Sequence, residues 1–77
     1  MVTAYVFMNV KRGGEGKALG LKKLQGVKDI TEVYGEFDVI MKVEKKSMDE
    51  LEKFLVEKIR PLDWVQKSKT MIQAHDK

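Results

Sequence analysis

Two carboxylates and a glycine packed into the run Tyr34, Gly35, Glu36, Phe37, Asp38 carry the most chemistry in this chain. Glycine lets a backbone bend through positive φ and lets a ligand approach the main chain. Glu36 and Asp38 offer acceptors for an ammonium group, and main-chain amides exposed at the same bend offer donors for a carboxylate. A free amino acid carries both charges, so a loop of this make-up suits one. The plainer account is that a turn acid is simply solvated and that Asp braces the turn through backbone hydrogen bonds. Residue types alone leave both accounts open.

The other reactive residue types are scattered. Gly13, Gly14, Glu15, Gly16 and Lys17 evoke a phosphate loop, but Lys11 stands where its first glycine belongs and Ala18 replaces the required Ser or Thr. The chain has no cysteine, and its one histidine, His75, sits in a polar tail, so neither a thiolate site nor a metal site is expected. No catalytic residue is assigned: no Ser nucleophile has a base in view, and no cofactor is implied. Tyr5, Phe7 and Phe37 on strands suggest a single-stranded RNA reader, yet the third strand begins acidic and continues aliphatic, where such a reader needs basic and aromatic residues.

Alternation and capping residues place these groups on elements. Val2 to Val10 reads as a strand, with Ala4, Val6, Met8 and Val10 on one face and Thr3, Tyr5, Phe7 and Asn9 on the other. A helix from Glu15 to Leu24 follows, with Gly20 inside it placed to allow close backbone packing and Gly26 as a left-handed cap. Strands Val27 to Tyr34 and Phe37 to Glu44 are expected to meet at a two-residue type II′ hairpin made by Gly35 and Glu36. Ser47 and Glu50 form a capping box for a helix from Met48 to Arg60, which Pro61 ends. Asp63 to Ala74 reads as a last strand, with Lys67 and Lys69 protecting an edge.

The order βαββαβ predicts an α+β, ferredoxin-like fold, an antiparallel sheet with two helices on one face. The other face, which carries Tyr5 and Phe7, is too apolar for water. A second subunit placing its sheet against this one resolves that, giving a homodimer in which Tyr5 and Phe7 lie at the interface.

Length and charge bound the rest. With 77 residues the chain reads as one domain, 1–77, without room for a DNA-binding unit. A core this small supplies only about 3–5 kcal/mol, which favours oligomerisation. The net charge of +3 is interleaved with acids along the chain, unlike a nucleic-acid footprint. No leader or membrane-span pattern is present, so a cytoplasmic location without membrane association is expected.

Taken in order, Ala4-Tyr5-Val6-Phe7-Met8-Asn9-Val10, Gly14-Glu15-Gly16, Leu24-Gln25-Gly26-Val27 and above all Val33-Tyr34-Gly35-Glu36-Phe37-Asp38-Val39 resemble the effector-binding (RAM) domain of the Lrp/AsnC, or feast/famine, transcriptional regulators. The resemblance implies a dimeric α+β barrel with face-to-face sheets, rings of dimers, and small effectors, usually amino acids, held between subunits. It implies ligand contacts from Tyr34, Gly35, Glu36, Phe37 and Asp38 and, more loosely, from Ser68, Thr70 and Met71. Full-length members begin with a helix-turn-helix domain that this chain does not carry, which implies no direct DNA binding and a role through full-length Lrp/AsnC regulators. Two other readings share the architecture: a small dimeric α+β-barrel enzyme, monooxygenase-like or isomerase-like, and an assembly domain without a ligand.

Overall fold

In the computed structural model, residues 1–74 are described; His75 and the tail expected around it lie outside them. Strand β1 (Val2–Val10) leads into helix α1 (Glu15–Leu19), which tightens to a 3₁₀ turn at Gly20–Lys23. Strands β2 (Val27–Glu32) and β3 (Val39–Lys45) follow. Helix α2 (Met48–Phe54) runs on as a π-helical turn at Leu55–Ile59, and β4 (Val65–Ile72) comes last. The order is the expected βαββαβ. The sheet is antiparallel in the order β2-β3-β1-β4.

Alternation decides what each face does. Val6 faces Met41 on β3 and Thr70 on β4, and residues directly opposite one another share a face. Ala4, Val6 and Met8 of β1 and Val39, Met41 and Val43 of β3 are fully buried under the helices. Ala18 and Leu21 pack on them from the first helix, and Leu51, Phe54 and Ile59 from the second. Burying each large aliphatic side chain contributes about 1.5–3 kcal/mol, so this layer is what holds the fold. Ser47 starts α2 as expected, its Oγ accepting the Glu50 amide at 3.2 Å.

Several expectations need correction. The second strand stops at Glu32 rather than Tyr34, and the third starts at Val39 rather than Phe37. The join is therefore not a two-residue hairpin. Val33 donates to the Asp38 carbonyl at 2.9 Å and closes a loop of the residues between them. The cause is the other strand: the Asp38 amide donates to Met8 of β1 at 2.9 Å, so β1 takes the amide that would have continued the β2–β3 ladder. Gly35 has φ +141, outside the range of a type II′ corner but still glycine territory. Gly20 is helical, and a Cβ there would meet nothing within 4 Å, so it serves no close packing. Gly26 is left-handed as expected, at φ +94, and a Cβ there would lie 2.7 Å from the Glu44 carbonyl.

Candidate functional site

The β2–β3 loop is tied to the first strand by its own acid. Val10 lies beyond the last β1–β3 pair, Met8 with Val39, so its amide has no ladder partner on that side. The half-buried Asp38 carboxylate supplies one: Oδ2 accepts from the Val10 amide at 3.0 Å. Asn9 reinforces the tie, its Nδ2 donating to the Glu36 carbonyl at 2.9 Å and lying 3.5 Å from the same Asp38 oxygen. Phe37 folds onto the open sheet face, its ring centroid 5.6 Å from that of Phe7, with the Lys67 ammonium 5.9 Å above it. Tyr34 projects fully into solvent.

This latch fixes one wall of a cleft of about 310 Å³ lined by Glu15, Glu32, Val33, Tyr34 and Asp38. That is the lower end of the roughly 300–1,000 Å³ that small-molecule sites occupy. Three carboxylates border it, so it favours a cationic group. The latch uses Asp38 Oδ2 alone; Oδ1 takes no part in it. The bracing account of Asp38 is thus met by one of its two oxygens.

The structure brings Tyr34 and Asp38 to this cleft and sets Gly35, Glu36 and Phe37 on the loop beside it. Ser68, Thr70 and Met71 do not join them. Ser68 pairs with Met8 and Thr70 with Val6, so both lie on the helix side of β4, whereas Met71 pairs with Tyr5 on the open face. Ser68 and Thr70 line a separate groove of about 500 Å³ between α2 and β4. Two acids of the cleft were missed by the sequence reading. Glu15 opens the helix directly after a glycine turn. Glu32 would have stood out had the strand been ended before Val33. Asn9 carries no sequence signal beyond its place on a strand face. Among the described residues no group of three His, Cys, Asp or Glu side chains is arranged to hold a metal ion. No helix among them is long and apolar enough to cross a membrane.

Comparison with known proteins agrees with this fold. No curated protein sequence matches the chain. The crystal structure of FFRP-DM1 superimposes with a TM-score of 0.90 at 39% identity, over 95% of this chain and 99% of that one. The hypothetical protein PHS023 from Pyrococcus horikoshii gives 0.92 at 38% identity, over 99% and 93%. The transcriptional regulator NMB0573 from Neisseria meningitidis, solved as its complex with L-Met, shares the fold at 17% identity and a TM-score of 0.85, over 97% of this chain but 51% of its own. The family model of the Lrp/AsnC ligand-binding domain matches residues 3–75, and the chain belongs to that family.

Proposed function

We propose that the chain is a non-enzymatic amino-acid sensor and oligomerisation module, and that the effector sits in the cleft between the β2–β3 loop and the start of α1. One observation carries this reading: in a ligand-binding domain, Asp38, which latches the loop, also borders with Glu15 and Glu32 an open cleft of amino-acid size. The ammonium meets the carboxylates and loop amides near Gly35 meet the effector's carboxylate. The L-Met found with the Neisseria regulator supports this ligand class.

The open sheet face supports a homodimer. Tyr5, Phe7 and Ile40 are half-buried there, and Met71 is exposed beside them. A second copy covers them face to face, dimers associate further into rings, and the cytoplasmic module acts by assembling with full-length Lrp/AsnC regulators rather than by contacting DNA. Light scattering that shows a well-folded monomer of 8.9 kDa at micromolar concentration overturns the dimer.

A thermal-shift panel of the twenty amino acids tests the sensor. At least one raises Tm, because a ligand that binds only the folded state stabilises it by mass action. Asp38→Ala and Gly35→Val are then titrated calorimetrically with that amino acid. Asp38→Ala weakens binding by roughly 10- to 150-fold, the worth of a charged hydrogen bond. Gly35→Val also weakens it, because a β-branched residue does not hold positive φ. Unchanged affinity in both variants places the site elsewhere.

A further inference from the structure

The cleft proposed above for the effector carries more negative charge than an amino acid with a neutral side chain can use. Its lining residues are Glu15, Glu32, Val33, Tyr34 and Asp38, three carboxylates with no lysine or arginine beside them. A neutral amino acid brings one ammonium and one carboxylate. The ammonium serves one or two of the acids, and any acid left over repels the ligand's own carboxylate. A metal ion is not the answer to this charge. A hard cation gathers its oxygen ligands within about 2.0–2.6 Å of one point, and among the described residues no three such side chains converge in that way. Carboxylates spread around a cleft suit positive charge that is itself spread along a ligand.

The two other lining residues fit the rest of such a ligand. Val33 is half-buried and offers an apolar wall for methylene groups. Tyr34 stands fully in solvent at the cleft, and the face of an aromatic ring attracts a cation. Phe54 and Phe37 each carry a lysine of the chain over the ring, at 4.6 and 5.9 Å, whereas Tyr34 has no such cation among the described residues. We propose that the effector is an amino acid with a cationic side chain, of which L-lysine is the simplest. The inference rests on the reading of the cleft given above and names its ligand class. Asp38 and the loop amides near Gly35 hold the α-ammonium and α-carboxylate, and the methylenes lie along Val33. The side-chain ammonium meets Glu15 and Glu32 beside the Tyr34 ring. Glu15 and Glu32 are exposed, so their charge is spent on specificity rather than on the fold.

The test is calorimetric titration of the full chain with three compounds. L-lysine is the first. L-norleucine keeps the carbon skeleton and lacks the side-chain ammonium, and 1,5-diaminopentane keeps both ammonium groups and lacks the carboxylate. Lysine binds about 10- to 150-fold more tightly than norleucine, the range for a charged hydrogen bond, and its advantage shrinks as salt is raised. The diamine binds more weakly than lysine. Glu15→Gln and Glu32→Gln, combined in one chain whose fold is checked by circular dichroism, remove the advantage of lysine over norleucine. Norleucine binding as tightly as lysine, or a preference for lysine that survives the double substitution, overturns the inference and leaves the cleft to neutral amino acids. A diamine as tight as lysine also overturns it, because no carboxylate is then being read. If none of the three binds, the inference falls, and the sensor reading falls with it only when the panel of twenty amino acids is blank as well.

Discussion

The two faces of the sheet are built from the same strands and behave as different materials. On one, Ala4, Val6, Met8, Val39, Met41 and Val43 are sealed by the helices. On the other, Tyr5, Phe7 and Ile40 are only half-covered, Lys67 and Lys69 stand in solvent, and the Tyr5 hydroxyl donates to Gln73 Oε1 at 3.3 Å. A side-chain period of two makes both from one run of residues. The sealed face is complete within one chain and accounts for folding. The open face is apolar and finds no full cover among the described residues, and the proposed dimer would supply it. Asp38 and Asn9 sit at the rim where β1 outruns β3, and there the chain builds its cleft.

The largest effect is expected on the sealed face. Met41→Ala removes most of a fully buried side chain and should cost about 2–5 kcal/mol. For a domain this small that is most of the stability. Urea unfolding followed by circular dichroism reads it, and the loss should be the same at every protein concentration. Phe7→Ala, on the open face, should cost roughly 0.5–3 kcal/mol, with a loss that depends on concentration because it acts through association. Equal, concentration-independent losses for the two would mean that both faces serve the monomer, and the contrast between them would fail.

A smaller effect is expected at the rim. Asn9→Ala removes the bond to the Glu36 carbonyl but leaves the Asp38–Val10 bond in place. It should cost about 0.5–1.5 kcal/mol. Its sharper signature is faster hydrogen exchange confined to the loop around Gly35, with β3 unchanged. If exchange quickens throughout β1 and β3 instead, the rim belongs to the core and the latch is not a separate device.

How much of this was legible in the sequence follows the same division. The strand faces could be read because alternation is local: Val6 and Phe7 differ by one position and by one face. The second helix was legible through Ser47, Glu50 and Pro61, each of which acts on its own backbone neighbourhood. The loop was not. Gly35 correctly marked a bend, but the extent of the bend is set by Met8 and Val10, which are about thirty positions earlier and take the Asp38 amide and carboxylate. Long-range backbone partners leave no mark on local composition. The same blindness hid Glu15 from the cleft. Ser68, Thr70 and Met71, which the family resemblance grouped, fall on opposite faces once β4 pairs with β1.

The smallest effect tests the cover of the sealed face and carries the opposite sign. Gly20 was expected to let a backbone pass closely, and the structure gives it open space: φ is −67, ψ is −17, and beyond its own helix no described atom lies within 4 Å of where a Cβ would be. Alanine adopts this conformation without strain, and it has fewer unfolded conformations to lose than glycine. Gly20→Ala should therefore stabilise the chain by about 0.4–1 kcal/mol, a rise in Tm of roughly 2–8 °C for a domain of this size. Gly26→Ala is the control. There φ is +94 and the added Cβ would press against the Glu44 carbonyl, whose residue also donates its amide to Gly26 at 2.8 Å. That substitution should destabilise, because backbone on both sides has to shift. A fall in Tm for Gly20→Ala would mean that something outside the chain packs against this turn. The helical layer would then be an assembly surface too, and the open sheet face would lose its claim to be the one side of the molecule that needs a partner.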